Sequence, residues 1–502
     1  MERIVPPRLR RALEALALGA LFFVTFAFPG AWGGWLEVGG ALLFPILFLR
    51  AVLRGRPLPW AFLALLAGLV SLFHWVPRTL VTKGGLSTPL AYFGSALLWA
   101  WEAGGLLAVA AVARWMHRRA GAWGAAFGAA LAITLWEGFA FHVYPWHYGS
   151  ALGGLPLTAK AAAFLGVAGF SALLWGSGAW AGACLAEDRR AAAAWGPRVA
   201  VGLLILLGLG WRLLPREPRR DMDIVMIQPD FVAGERFPGM EAEMWRRSDP
   251  VLQAHQLPRP GVRTLLLWPE SSVLGRDDRL PDPRLAQEAS RRGVAWLFGT
   301  EGGLFNLVRG EVDGRPPFIQ AKVHPMAFGE RMPGPDWLRH WLDERLGFLS
   351  QEPGELSARS VFVVPTPQGE VRVAPLICSE ALEPERTREG LAMARANLLS
   401  NHTNDGWFER SMATDLHAAQ IRLRAPELGV PLLRATLTGK SGVFHEDGSW
   451  QLWGEAMSED AYAFSLRWSP IRTPARGPWP RILLLALLGA GSGLLAWRGR
   501  PR

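Results

Sequence analysis

The stretch APLICSEALE, residues 374–383, decides how this chain is interpreted. It closes an apolar run, VRVAPLIC (371–378), of the kind that forms a buried β-strand between turn residues. The run ends on a thiol, Cys378, followed by the polar residues Ser379 and Glu380. Because active sites of layered α/β proteins collect in the loops after strands, Cys378 is a candidate nucleophile. The competing interpretation is a small buried hydrophobe, a common role of free cysteine.

Short runs of the same type recur on both sides of this strand. Helical patterns at 284–293 and 415–429 lie between some of them. An alternation of strands and helices predicts a layered α/β domain, which we place at residues 221–476. The other predicted strands lie at 223–228, 264–270, 294–302, 360–369, 397–401 and 431–436.

The rest of the chain is too apolar for a soluble protein of this size. Half of the 502 residues are hydrophobic and only 19% are charged, a composition typical of membrane proteins. A transmembrane helix needs roughly 20 mostly apolar residues. Such stretches predict a seven-helix domain at residues 1–220 and one last span, with a tail, at 477–502. They run over Leu13–Phe28, Trp35–Leu53, Pro59–Val76, Leu90–Met116, Ala122–Phe139, Ala161–Leu185, Val199–Leu214 and Ile482–Trp497.

The distribution of arginine orients these predicted spans. The formal net charge is +10, but arginine is concentrated in short loops between apolar stretches, which favours membrane topology over nucleic-acid binding. The loops around Arg10, Arg54, Arg118 and Arg189 fall on one side of an eight-span protein, which the positive-inside rule makes cytoplasmic. Residues 221–476 are then expected on the outer side. The two cysteines are too few for a disulfide framework.

Three chemically complementary groups follow or flank the predicted strands. Glu270 ends TLLLWPE (264–270), Lys322 lies in QAKVHPMAFGERMP (320–333), and Cys378 ends VRVAPLIC. A carboxylate accepts the thiol proton as the sulfur attacks a carbonyl. A lysine and a backbone N–H stabilise the resulting oxyanion. If the three groups meet in the fold, they form a site for nucleophilic acyl transfer.

The motifs around these residues resemble the nitrilase superfamily, which has a Glu-Lys-Cys triad. They are WPES (268–271), K-x-H-x-x-x-F-G-E (322–330), IC-x-E (377–380) and TNDGWF (403–408), in the order of that family. The apolar spans, YPWHYG (144–149) and RLRAPELGVPLLRATLTG (422–439) are similar to one branch, the apolipoprotein N-acyltransferases of bacterial inner membranes. The resemblance implies a transmembrane bundle of eight helices plus an α/β nitrilase-like domain, an αββα sandwich, on the periplasmic face.

The resemblance also implies roles and partners. Catalysis would use Cys378 as nucleophile, Glu270 as base and Lys322 at the oxyanion. Supporting positions would be Glu330, Ser379 and Glu380. The implied acyl donor is a phospholipid and the acceptor is a diacylglyceryl apolipoprotein, with membrane lipids as further partners. No metal, no organic cofactor and no nucleic acid is expected, and the protein is expected to be a monomer.

A second group of residues is predicted to handle lipid. Trp337, Leu338, Trp341 and Leu342 recur at helical spacing in PGPDWLRHWLDERLGFLS (333–350), which indicates an amphipathic lid over the thiol. The resemblance adds Phe237, Asn404 and Trp407 as pocket positions. Ser379 stands where this branch commonly has an aromatic residue, and Ala327 where it often has proline. These departures leave the preferred acyl chain and headgroup open.

Other interpretations remain open at this stage. The main alternative is a membrane-tethered amidase that uses the same triad with water as acceptor; a non-enzymatic scaffold and a transporter are further alternatives. Cys184 is expected to pack inside a helix bundle, and His324 to make a structural hydrogen bond. Glu102 and Glu137 lie within or near apolar spans, where ionisable groups are candidates for function.

Overall fold

The computed structural model describes most of the chain. The described residues are 6–30, 34–213, 219–231, 237–273, 283–302, 304–346, 350–357 and 359–470, with isolated positions 487 and 491. The predicted last span, Ile482–Trp497, therefore lies outside the described residues apart from those two positions.

The N-terminal part of the chain is helical, as the apolar periodicity predicts. Most of its helices are separated by short turns that contain glycine or proline, such as Gly55 and Pro57 between the second and third. The helices are α1 (Pro7–Ala27), α2 (Trp35–Leu53), α3 (Leu58–Leu72), α4 (Val76–Thr82), α5 (Thr88–Phe139), α6 (Pro156–Lys160), α7 (Ala162–Ala186), α8 (Arg190–Ala193) and α9 (Trp195–Gly210).

The described helices account for part of the predicted membrane spans. Four helices of the described part are long and apolar enough to cross a membrane, or five if the bent pair α3 and α4 forms one span. One of the four, α5, joins the fourth and fifth predicted spans, with a break at Ala120 and Gly121, where the backbone leaves helical geometry. The total of eight spans stays a prediction.

The second part of the chain contains two six-stranded sheets. The first has the strand order β12-β1-β2-β3-β4-β5 and the second β11-β10-β9-β8-β7-β6. The strands are β1 (Arg220–Gln228), β2 (Thr264–Leu267), β3 (Val294–Gly302), β4 (Phe305–Glu311), β5 (Phe318–Ala321), β6 (Phe362–Thr366), β7 (Gly369–Ile377), β8 (Leu398–Thr403), β9 (Leu432–Thr436), β10 (Ser441–Phe444), β11 (Trp450–Trp453) and β12 (Asp460–Trp468).

Helices cover both sheets. They are α10 (Met240–Ala254), α11 (Pro283–Arg292), α12 (Asp336–Leu346), α13 (Pro384–Ala394), α14 (Ala413–Ile421) and α15 (Arg424–Leu428). The inner faces of the sheets share one apolar cluster, which includes Leu265 and Val373. Helices α10 and α11 pack on the outer face of the first sheet. The layers therefore stack as helix, sheet, sheet, helix, as expected for two sheets with apolar residues on both faces.

The outer face of the second sheet belongs to the same apolar cluster as the helical domain. Leu376 of β7 and Leu432 of β9 are in one buried cluster with Phe44 of α2 and Trp175 of α7. Alternation along β7 explains this, since Val373 and Ile377 face the inner cluster while Leu376 faces the outer one. The two domains thus share a core.

Buried polar contacts fix this junction. Arg422 pairs with Glu37 of α2, and both side chains are almost fully buried. Gln420 donates to Ser150 Oγ at 2.7 Å and accepts from the His147 backbone N–H at 2.9 Å. Because an unpaired group in such a place costs free energy, these contacts specify one orientation of the sheets on the helices.

Candidate active site

Cys378 lies directly after β7, where the sequence predicts it. Its backbone φ is +51°, an uncommon value for a residue other than glycine, and the chain leaves the strand at this point. The Asn401 side chain donates to the Cys378 carbonyl oxygen at 3.0 Å and so ties the bend to the neighbouring strand β8. Such a locally strained position is typical of functional residues held by their surroundings.

Lys322 follows β5 and is held by Glu330. The lysine Nζ lies 2.8 Å from Oε1 and 2.6 Å from Oε2 of Glu330. Lys322 is 1% exposed, so this pair is shielded from water. Glu330 Oε2 also accepts from the Met326 backbone N–H at 2.6 Å, which closes the turn between the two residues.

Glu270 follows β2 and reaches the same place from the first sheet. Its Oε1 accepts from Asn306 Nδ2 at 2.6 Å, and the same amide nitrogen lies 3.2 Å from Glu330 Oε1. Its Oε2 is buried and has no partner of standard hydrogen-bond geometry among the described residues, while the Cys378 thiol is close enough to Glu270 to lower its pKa. Asn306 therefore orients Glu270 by one oxygen and leaves the other as an acceptor.

The charges of this cluster act on one another. Burial raises the pKa of Glu270 to about 6, helped by the charge of Glu330 and opposed by Lys322. Burial also raises the pKa of the Cys378 thiol to about 12, with Glu270 adding to the effect. Burial disfavours the ammonium form of Lys322, but the charge of Glu330, with those of Cys378 and Glu270 once they are ionised, outweighs burial and raises the pKa of Lys322. At neutral pH the thiol is protonated and Lys322 is charged.

Glu380 joins the nucleophile strand to the lysine segment. Its Oε2 accepts from the Ile377 backbone N–H at 2.7 Å, and its Oε1 accepts from the backbone N–H groups of Val323 and His324 at 2.7 and 3.2 Å. Burial raises the pKa of Glu380, against these hydrogen bonds. Glu380 thus fixes the separation of Cys378 and Lys322.

An apolar cavity opens beside Cys378, between the two domains. Lys322 and Glu330 line it together with Cys378, and Trp75 and Leu98 contribute a wall from the helical domain. The wall is stabilised across the junction, because Thr79 Oγ1 donates to the Trp407 carbonyl oxygen at 3.1 Å. Such a cavity suits an apolar chain that ends at the thiol.

A buried polar chain lies behind the nucleophile. Arg434 NH1 donates to Asn401 Oδ1 at 2.7 Å, and Arg434 NH2 lies 2.6 Å from Asp405 Oδ2. Asp405 Oδ1 in turn lies 2.9 Å from His417 Nδ1. Burial opposes ionisation, yet Arg434 and His417 lower the pKa of Asp405. Through Asn401, this chain ends at the Cys378 carbonyl.

The remaining predicted site residues lie in three places. Ser379 follows the thiol directly, and Asn404 and Trp407 line the apolar cavity. Phe237 instead packs against Phe231 beside the outer face of the first sheet, and it is absent from the residues that line this cavity. The other residues lie on α12, where Trp337 and Trp341 are exposed and Leu338 and Leu342 are half-buried.

The other side chains singled out in the sequence, Cys184, His324, Glu102 and Glu137, have defined environments. Cys184 is fully buried in α7. His324 contacts Arg386, and burial together with that charge lowers the pKa of His324 to about 4. Glu102 pairs with His142 at 2.9 Å, and Glu137 accepts from the Tyr148 backbone N–H at 2.8 Å. Both glutamates thus hold the 140–148 segment, which lies next to the cavity.

Several residues of the site escape sequence reasoning. Asn306, Asn401 and Arg434 lie within strands, where a polar side chain is easily taken for a solvent-facing one. Their strands contain further polar residues, such as Arg309 in β4 and His402 in β8, so the sequence gives no signal that singles these three out. Among the described residues, no group of histidine, cysteine or carboxylate side chains has the arrangement of a metal site.

Comparison with known proteins gives a family match for part of the chain. The carbon-nitrogen hydrolase family matches residues 311–463, a range that includes Lys322, Glu330 and Cys378. Residues 311–463 form a carbon–nitrogen hydrolase domain of the nitrilase superfamily. A solved glutamine-dependent NAD+ synthetase from Acinetobacter baumannii aligns with a TM-score of 0.32 and 14% identity over 54% of this chain and 51% of that chain.

Curated relatives that match a larger part of this chain are named apolipoprotein N-acyltransferase. Those of Allorhizobium ampelinum and Bradyrhizobium diazoefficiens are 29% and 31% identical over 64% of this chain. The match spans only 63% and 64% of the length of these two relatives. The relative from Brucella suis is 28% identical over 75% of this chain and 73% of its own length. The chain resembles these enzymes in both its helical and its hydrolase parts.

Proposed function

We propose that this protein is a phospholipid-dependent N-acyltransferase that acylates the N-terminal diacylglyceryl-cysteine of apolipoproteins. The observation that supports this most is an apolar cavity that is lined by Cys378, Lys322 and Glu330 and has a wall formed by the helical domain. A soluble substrate has no use for such a wall, whereas an acyl chain that enters from a bilayer does. The names of the relatives agree with the proposal.

In the first half-reaction, Cys378 attacks the ester carbonyl of the phospholipid. Glu270 Oε2 takes the thiol proton as the C–S bond forms. The oxyanion is stabilised by Lys322 and the backbone N–H of Ser379. When the intermediate collapses, the C–O bond breaks, Glu270 returns the proton to the leaving oxygen, and a lysophospholipid departs. The acyl chain remains on Cys378 as a thioester.

In the second half-reaction, the free α-amine of the diacylglyceryl-cysteine attacks the thioester. Glu270 accepts a proton from the amine, the amide bond forms, and the C–S bond breaks. The proton then passes to the departing thiolate. Because the acyl chain is transferred through one enzyme-bound thioester, the kinetics are ping-pong.

The other polar residues position this chemistry. Glu330 orients the Lys322 ammonium, and Glu380 holds the segment that contains Lys322 against the strand of Cys378. The exposed Trp337 and Trp341 of α12 form a lid that guides lipid from the outer leaflet. The hydrolase domain lies on the periplasmic side of the bacterial inner membrane in this proposal, because both substrates are anchored there.

The test is the acyl-enzyme itself. Purified protein is incubated with phosphatidylethanolamine or phosphatidylglycerol without acceptor, and intact mass is measured. We expect a fatty-acyl adduct in the wild type and in Cys184→Ala, and none in Cys378→Ala. Addition of a diacylglyceryl-cysteine peptide should remove the adduct and acylate the peptide.

The two cysteine variants make this test specific, since Cys184 is buried in the bundle and remote from the cavity. If the wild type forms no adduct but releases acid from small amides, the tethered amidase with water as acceptor replaces the proposal.

A further inference from the structure

A second cavity, of about 740 Å³, lies at the other end of the helical domain. It is formed by the first turns of α1, the last turn of α2, the connection 54–57 and the start of α3. Helix α3 relates the two cavities, because Trp60 near its start lines this one and Trp75, three residues after its end, lines the cavity at Cys378. From Trp60 to Leu72, the last residue of α3, the helix rises roughly 18 Å along its axis. The second cavity therefore lies near the opposite membrane surface.

The lining combines converging cations with an apolar wall. Its apolar side chains include Leu18, Leu47 and Trp60. The arginines of the lining are Arg10, Arg11, Arg50, Arg54 and Arg56, and its only acidic residue is Glu14. The positive-inside rule accounts for arginines at this surface, but it does not require them to surround one cavity.

The acidic groups nearby leave part of this charge unbalanced. Glu14 pairs with both Arg10 and Arg56, and Arg54 pairs with Asp188 at 2.7 Å. Within the described ranges, no acidic partner contacts Arg11 or Arg50. The Nε of Arg50 is buried and has no hydrogen-bond partner there. The cavity thus presents guanidinium groups that lack an anion.

We propose that this cavity binds the phosphate headgroup of an anionic phospholipid from the inner leaflet. Guanidinium groups match phosphate geometry with paired hydrogen bonds, and basic pockets between transmembrane helices bind such headgroups. The apolar wall contacts the start of the acyl chains. The ligand is not the acyl donor, since it lies at the far end of α3 from Cys378. The proposal rests on the bundle lying in a membrane and is independent of acyl transfer.

The experiment compares two charge-matched pairs of variants in the full-length protein. Arg11→Gln/Arg50→Gln removes the arginines without an acidic partner. Arg118→Gln/Arg119→Gln removes the same charge at the end of another helix, outside the cavity. Phosphatidylglycerol is titrated into each detergent-solubilised protein and bound lipid is counted by native mass spectrometry. A lipid bound near Cys378 should be present in every variant, so it does not affect the difference in bound lipid between them.

Each basic residue near an anionic surface contributes about 1 kcal/mol, so the cavity pair should weaken phosphatidylglycerol binding roughly 30-fold. The control pair should change it less than twofold, and phosphatidylethanolamine should bind equally to all proteins. Equal loss in both pairs, or no preference for the anionic lipid, would overturn the proposal. Displacement of the lipid by inorganic pyrophosphate at matching concentration would assign the cavity to a soluble anion instead.

Acyl transfer measured on the same preparations keeps the two proposals apart. It should remain unchanged in the cavity pair, because neither arginine belongs to the catalytic cluster. Loss of lipid binding with unchanged acyl transfer supports the second site, whatever reaction Cys378 performs.

Discussion

Both carboxylate oxygens of Glu330 contact the Lys322 ammonium, at 2.8 and 2.6 Å. Asn306 then connects Glu330 to Glu270 through a single amide nitrogen. The proposed base, Glu270, and the proposed oxyanion-binding residue, Lys322, are therefore parts of one hydrogen-bonded unit. A substitution of Glu330 should therefore affect both Glu270 and Lys322.

Glu330→Gln tests this connection. Loss of the paired contact lets Lys322 move, and a misplacement of about 1 Å costs roughly 100-fold in rate. Because the charge of Glu330 helps to raise the pKa of Glu270, its removal should also shift the acidic limb of the pH–rate profile to lower pH. A pH–rate profile of thioester formation measures both effects. Glu352→Gln, which removes a half-exposed partner of Arg331, should change neither.

The wild-type pH profile follows from the same cluster. Glu270 acts as a base only when ionised, and its pKa is about 6. Thioester formation should therefore fall as pH drops through about 6 and level off above it. The thiol does not ionise by itself at neutral pH, because its pKa is about 12. Glu270→Gln should lower the rate by about 100- to 10000-fold, and an unchanged rate would remove Glu270 from the base role.

The apolar cavity should set the preferred acyl length. Leu98→Trp adds volume inside it and is expected to lower turnover of long-chain donors while short-chain esters still react. Leu97→Trp, on the exposed side of the same helix, is the matched control and should leave chain-length preference unchanged. Rates with a series of phospholipids of different chain length give the comparison. Equal effects of both variants would place the acyl chain elsewhere.

The lid hypothesis predicts a different pattern. Trp337→Ala/Trp341→Ala should reduce turnover of bilayer-presented phospholipid and spare a short water-soluble ester, because only the membrane substrate needs guidance. Trp195→Ala removes another exposed tryptophan, from the helical domain, and should have no such effect. If long-chain turnover is unchanged in the double variant, α12 is not a lid.

The buried chain behind Cys378 predicts a stability effect. Arg434→Met leaves Asp405 buried without its main cation, which costs about 3–5 kcal/mol of unfolding free energy. The pKa of Asp405 is lowered in the folded state, so this stabilisation is present above the unfolded pKa and is lost as pH falls towards the folded one. Denaturation in detergent should show partial recovery in Arg434→Met/Asp405→Asn. The exposed Arg246→Met serves as control.

The sequence predicts the central strands well and the edges poorly. The run 294–302 coincides with β3, and 371–378 overlaps β7, because buried central strands are continuous apolar runs. Strands β4, β5, β10, β11 and β12 were not predicted. All five lie at or next to an edge of a sheet, and β4 also contains Asn306, Arg309 and Glu311, which hide its apolar alternation.

The residues of the candidate site also divide into those that the sequence predicts and those that it does not. Glu270, Lys322 and Cys378 are predictable because each ends or follows a strand with recognisable neighbours. Asn401 and Arg434 are not, since their importance arises only when β8 and β9 pair side by side and their side chains meet. Phe237, which similarity places near the lipid pocket, packs beside the outer face of the first sheet, and its role in the pocket stays a prediction.

The shared core of the two domains bears on how such an enzyme can be divided. A fragment restricted to residues 221–476 would expose Leu376 and Leu432 to water and leave Arg422 without Glu37. It should therefore aggregate rather than yield a soluble acyltransferase, even though every residue of the catalytic cluster would be present. The helical domain therefore completes the core of the hydrolase domain, and a single-helix membrane anchor could not replace it.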